Sequence, residues 1–263
     1  MVVRKTQRKR TNNNKVVKRQ EPKLIKYKGF TILVIYCPKP EYAERIKKYD
    51  SRYNIRYCYN RDLISDKTIS KWKFLWNAKK EHRKKVISCY LSHMQALDYI
   101  IKHNLKNVII IEDDAYIPEN RWKQLEKLKN FHSMCYVGGV LGWKLQTKDH
   151  QNDIKHFDDV RRKKIGKTFK ENRINEIKTE DIWRIGGAFG IFFPHKEEVI
   201  KLKKAIEENQ KGRLNHPIDN ELVFLQKAKI VKYLFFPAIV ILYLPEAKKG
   251  FTGPYVNSSF ERY

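Results

Sequence analysis

A chain of 263 residues is long enough to bury one large α/β core or two small ones. Its hydrophobic share of 41% and aromatic share of 13% exclude a wholly disordered protein. With 56 Lys+Arg against 29 Asp+Glu the formal charge is +27, a field that draws in anions: nucleotides, acidic polymers, nucleic acid or anionic membrane surfaces.

Part of that charge is local. Residues 1–20 carry eight Lys/Arg and no acid, so residues 1–23 are expected to be a disordered basic tail. The rest, 24–263, is expected to form a single domain that keeps the remaining +19 (27 less 8). Within the tail, Arg8-Lys9-Arg10 fits nucleic-acid contact, nuclear import or simple solvation. Because a positive field also favours a nucleotide diphosphate, charge does not choose between an enzyme and a nucleic-acid binder. The four cysteines, Cys37, Cys58, Cys89 and Cys135, form no CxxC and no paired Cys/His spacing, which argues against a zinc site and a disulfide scaffold. Apolar runs such as Val108–Ile111 and Leu234–Leu244 are too short to span a bilayer, and the basic start lacks an apolar signal core. The expectation is a soluble intracellular protein without a transmembrane segment.

In chain order, Phe30–Tyr36 is rich in β-branched residues, stops at Cys37-Pro38 and reads as a buried strand. Glu41–Tyr49 has helical character, Ile55–Tyr59 reads as a second strand, and a helix is expected near Lys71–Lys80. From Val86 to His103, Ile87, Tyr90/Leu91, Met94, Leu97 and Ile101 recur at helical spacing and mark one buried face. Asn107–Ile111 reads as a central strand. Asn120–Phe131 reads as a charged helix and Cys135–Val137 as another strand. Residues 144–180 read as a long charged loop. Ile185–Phe193 is a glycine-bearing apolar segment closed by Pro194. Helices are expected over His195–Asn209 and Ile218–Lys227, and strands over Ile230–Phe235 and Ile239–Leu242. Strands alternating with helices predict an α/β layer fold around a mostly parallel sheet.

The most informative stretch is the apolar strand that runs into Glu112-Asp113-Asp114. Open α/β sheets bind ligands at the carboxyl ends of their strands. Adjacent acids there repel one another and gain most from a hard divalent cation, which can bridge to a diphosphate. An acidic turn capping the next helix also fits these three residues. Ser92 and His93 sit on the preceding helix, where they can offer hydroxyl and imidazole to a ribose or phosphate; a histidine packed between helix and sheet is the plainer reading of His93. Gly186-Gly187 permits close approach of backbone to a ligand, or tight strand packing. His216-Pro217-Ile218-Asp219 opens a helix, with Asp219 as N-cap or as a general base.

Taken in order, Cys89-x-x-Ser92-His93, then Ile109-Ile110-Ile111-Glu112-Asp113-Asp114, then Gly186-Gly187, then Pro217-Ile218-Asp219 resemble glycosyltransferase family 25, the lipopolysaccharide and procollagen galactosyltransferase family. The match is best over about 86–118 and extends more weakly over 30–245, with Arg45 where the family has an arginine soon after the first strand. The resemblance implies a GT-A-type nucleotide-diphospho-sugar transferase fold and a UDP-sugar donor, most often UDP-galactose. It also implies Mn2+ (or Mg2+) held by Glu112, Asp113 and Asp114. Ser92, His93, Gly186 and Gly187 would line the donor site, and Asp219 would be the base beside a glycan or protein acceptor. Where the family often has Gly-Glu-x-Gly before the cysteine, this chain has Lys85-Val86-Ile87-Ser88. A retained but non-catalytic scaffold that binds nucleic acid or acidic glycans is the alternative.

Overall fold

The computed structural model of the protein describes residues 24–36, 43–57, 61–72, 79–138, 140–142, 169–177, 184–186, 190–211, 217–236 and 238–242. The expected tail, 1–23, and Gly187 lie outside these residues. The strands are β1 (Thr31–Tyr36), β2 (Tyr53–Tyr57), β3 (Val108–Glu112), β4 (Ala115–Tyr116), β5 (Cys135–Tyr136), β6 (Val140–Gly142), β7 (Arg173–Glu176), β8 (Arg184–Gly186), β9 (Gly190–Phe193), β10 (Tyr233–Phe236) and β11 (Ile241–Leu242). The helices are α1 (Ala43–Ile46), α2 (Asp66–Lys71), α3 (Lys80–Lys102), α4 (Lys196–Lys211) and α5 (Ile218–Lys227), with 3₁₀ segments at Arg61–Leu63 and Glu119–Leu128.

Seven strands form the main sheet in the order β2-β1-β3-β9-β5-β10-β7. Parallel pairing joins β2 to β1, β1 to β3 and β5 to β10, whereas β9 and β7 run against their neighbours. The sheet is therefore mostly parallel in strand direction, with two reversed strands. Every residue of β1 is buried, as an apolar run needs when both faces of a central strand are covered. Its side chains alternate between two cores. Leu33 and Ile35 join Ile110 of β3 and the α3 face of Tyr90, Met94, Leu97 and Ile100, backed by Val199, Leu202 and Ile206 of α4 and Leu222 and Leu225 of α5. Ile32 and Val34 join Ile109 and Ile111 on the opposite face, under Trp122, Leu125 and Leu128. The result is three layers, helices on one side and the 3₁₀ segment on the other.

Where the structure departs from the sequence reading, the reason is local. The segment expected to be a helix over Asn120–Phe131 is 3₁₀ over Glu119–Leu128, where Trp122, Leu125 and Leu128, recurring every third residue, eclipse one another on the buried face. Helix α3 starts at Lys80, before the apolar periodicity begins, since its first turns are exposed and polar. In place of a helix near 71–80 there is α2, ending at Lys71 and capped by the Ser65 hydroxyl, which accepts from the Thr68 N–H at 3.2 Å; residues 73–78 lie outside the described set. Within the expected loop 144–180 lies β7, which among the described residues pairs only with β10 and so needs no apolar alternation. The glycine-bearing segment 185–193 is two strands: β8 pairs with β6 in a small separate sheet, and β9 enters the main one.

One glycine ties the sheet together beside the acidic strand end. Gly190 pairs with Ile111, and its carbonyl accepts from the N–H groups of both Val137 and Gly138 at 3.0 Å. A Cβ there would stand 2.6 Å from the Gly138 nitrogen and 2.7 Å from its Cα. Since backbone and not a flexible side chain would have to yield, Gly190→Ala should cost on the order of 1–3 kcal/mol or more. A thermal melt in which this variant matches the wild type would contradict the packing described.

Candidate active site

The parallel register of β1 and β3 pairs Ile35 with Glu112, so the acidic triplet begins at the carboxyl edge of the sheet. There the chain turns through Asp113-Asp114 into β4, which pairs with β11. Tyr49, just after α1, holds this turn from below. Its hydroxyl lies 2.6 Å from the Ala115 carbonyl, to which it donates, and 3.2 Å from the Glu112 carbonyl. Burial and the charges of Asp113 and Asp114 push the Tyr49 phenol far above its ordinary range, so it remains a donor.

The three carboxylates diverge. Glu112 turns toward α3, where His93 Nε2 stands 2.9 Å from Oε1 and Cys89 Sγ donates to the same oxygen at 3.7 Å. Burial works against its charge, yet the interactions with His93, Cys89 and Lys85 hold the Glu112 carboxyl below the usual carboxylate range. Asp113 turns toward α1 and takes an ion pair from Arg45, Nη1 to Oδ1 2.9 Å, with both side chains largely shielded from water. Asp114 is left with a buried Oδ1 that has no hydrogen-bond partner. Burial, then the charges of Glu112 and Asp113, raise its carboxyl to about 7 despite the opposing pull of Arg45 and Lys48. A group so displaced is a position where negative charge is undercompensated.

The remaining sequence candidates fall around this edge. Ser92 is buried on α3 and its hydroxyl donates to the Ser88 carbonyl at 2.8 Å. His93 is also buried and meets the site through Glu112. Asp219 lies in the first turn of α5; Pro217, not Asp219, is the N-cap. Its carboxylate accepts from the Asn220 N–H at 2.9 Å, a favourable place for negative charge near a helix N-terminus. Burial, then the Glu112 and Asp219 charges, raise the Cys89 thiol, and burial raises the Tyr136 phenol with a smaller push from Asp219 against the Gln226 hydrogen bond. Gly186 sits in β8, paired with Val140.

Two contributors escape sequence reasoning. Tyr49 carries no motif. Gln226 of α5 is buried and ties that helix to β8 and β5: it accepts from the Ile185 N–H at 2.8 Å, and its amide nitrogen donates to the Ile185 carbonyl at 3.0 Å and the Tyr136 hydroxyl at 2.9 Å. A buried amide satisfied on both ends fixes the helix that presents Asp219.

The family model for glycosyltransferase family 25 (LPS biosynthesis protein) matches residues 47–186, just over half of the chain. The chain belongs to glycosyltransferase family 25. Its mixed seven-stranded sheet with helices is accordingly an α/β nucleotide-sugar transferase fold. The family 25 match runs from before β2 through β8 and takes in Tyr49, Cys89, Ser92, His93 and all three acids, leaving Arg45 and Asp219 outside its bounds. No curated protein matches the chain. Among the described residues no helix is long and apolar enough to cross a membrane.

The Asp114 environment makes stability depend on pH in a definite direction. With a folded value of about 7 against 3.8 for an ordinary aspartate, the folded protein keeps a proton that the unfolded chain releases. Stability of the metal-free protein therefore falls as pH rises from about 4 through 7, by at most about 4 kcal/mol. Relative to Asp114→Asn, the wild type should lose roughly 2–3 kcal/mol between pH 5 and 8, read by urea denaturation in EDTA. Parallel pH profiles for the two proteins would contradict this assignment.

Proposed function

We propose that this glycosyltransferase moves a sugar, galactose first among candidates, from a UDP-sugar to a hydroxyl of a glycan or protein acceptor, with a divalent metal at the donor. The observation that carries the reading is Asp114: a buried carboxylate oxygen without a partner, at the end of a central strand and next to two further acids. That donor set, all oxygen and undercompensated, fits a hard cation such as Mn2+ or Mg2+. Asp113 and Asp114 would hold it, with Glu112 adjacent and turned to α3. When bound, such an ion neutralises charge developing on the leaving diphosphate.

The chain's own residues do the rest. Arg45 is a cation already at the acidic edge, able to share its charge between Asp113 and a donor phosphate. His93 and Tyr49 keep Glu112 and the turn in one orientation, so the charge arrangement exists before the donor arrives. Asp219 is the candidate base that takes the acceptor's hydroxyl proton as the oxygen attacks the anomeric carbon. Gly186 and Gly187 remain candidates for backbone contact with the donor, and Ser92 supports it indirectly from inside α3.

The test is UDP release from a panel of UDP-sugars, with Mn2+ and with EDTA. One donor should be hydrolysed in a metal-dependent way, and Asp114→Ala should reduce that rate by about 100-fold or more. If no donor turns over and UDP binding ignores metal, the non-catalytic scaffold is the better account.

A further inference from the structure

Two side chains that meet Glu112 come from one face of α3. Cys89 and His93 are four residues apart, so they stand one above the other and both reach the carboxylate from the adjacent strand. Cys89 Sγ, His93 Nε2 and Glu112 Oε1 all lie within 4.8 Å of one another. The His93–Glu112 separation is 2.9 Å and the Cys89–Glu112 separation 3.7 Å. Ligands of a tetrahedral zinc ion, at about 2.3 Å for sulfur and 2.0–2.2 Å for nitrogen and oxygen, stand roughly 3.3–3.6 Å apart. The two separations that involve Glu112 lie within about half an ångström of that spacing, and the Cys89–His93 pair lies within reach of it.

We propose that Cys89, His93 and Glu112 form a second metal site, for a borderline-soft divalent cation best matched by Zn2+, distinct from the hard-cation position at Asp113 and Asp114. The ligand chemistry separates the two. A thiolate and an imidazole favour zinc strongly over magnesium or manganese, whereas an all-carboxylate set suits the hard cations. The charge also balances: thiolate and carboxylate together cancel a divalent ion, and a neutral imidazole adds nothing. In the metal-free protein burial and the nearby carboxylates hold the Cys89 thiol protonated, so it is not a free nucleophile. Its proton points at the same oxygen that His93 contacts. Binding replaces it: the Sγ–H proton leaves to solvent as the metal–sulfur bond forms, and the imidazole offers its Nε2 lone pair with its proton on Nδ1. The charges of Asp219 and Asp114 both reach Cys89 and add negative potential at the group.

This inference rests on the geometry of three side chains and stands whether or not the donor reading holds. Co2+ is the probe, since it takes zinc sites and reports a thiolate ligand by charge-transfer absorption. Titrating Co2+ into the reduced, metal-free full-length chain should give a near-ultraviolet charge-transfer band and tetrahedral visible bands. They should saturate at one equivalent and disappear on adding one equivalent of Zn2+. Cys89→Ser should abolish the charge transfer; Asp113→Asn should keep it. His93→Gln should weaken binding 10-fold or more, which gives a second reading if Cys89→Ser does not fold. The absence of a charge-transfer band in the wild type, or a band that survives in Cys89→Ser, overturns the site.

Discussion

Three carboxylates in a row at the end of a buried strand repel one another, and each loses hydration as the sheet edge forms. The protein answers by sending them apart. Glu112 goes to a histidine and a thiol on α3, and Asp113 to an arginine on α1. The backbone that carries both is held by the Tyr49 hydroxyl. Only Asp114 is left with a buried oxygen facing no partner. In a low-dielectric edge that imbalance is costly, and it is the feature around which strand order, helix placement and the two reversed strands acquire a functional meaning.

The fold serves this edge in a specific way. Parallel pairing of β1 and β3 brings Ile35 alongside Glu112, so α1 and Tyr49, which follow β1, arrive at the same edge as the acids. The helix preceding β3 lies over the sheet face on which Leu33, Ile35 and Ile110 point, and its polar stripe of Cys89 and His93 meets the strand where the apolar run ends. Helix α5 is bound to the neighbouring strands through Gln226, which brings Asp219 to the same side. Packing thus converts residues distant in sequence into one electrostatic unit.

Much of this was legible in the sequence because the central strands and helices carry strong periodicity. The runs Thr31–Tyr36 and Val108–Ile111, the buried face of α3 and the helices α4 and α5 all fall where their apolar spacing puts them. The acids, the Cys89-x-x-Ser92-His93 stretch and the Pro217-Ile218-Asp219 start pointed to one site through their order along the chain. What was not legible lacked a periodic signal. An edge strand such as β7 has almost no apolar alternation, and the three-residue spacing of Trp122, Leu125 and Leu128 is easily taken for an α-helical face. The roles of Tyr49 and Gln226 depend on partners dozens of residues away. The pairing of Cys89 with His93 could have been read from their four-residue spacing, yet only Glu112, supplied by another element, makes it a cluster.

The most direct test of the central claim is calorimetric binding of UDP, with and without Mn2+, to the wild type and to Asp114→Asn. The account predicts that Mn2+ tightens UDP binding to the wild type by 10-fold or more, about 1.4 kcal/mol, and that the variant loses this gain while keeping its metal-independent affinity. Equal UDP affinity with and without Mn2+ in the wild type, or an undiminished metal effect in Asp114→Asn, would contradict the acidic strand end as the cation-dependent donor site.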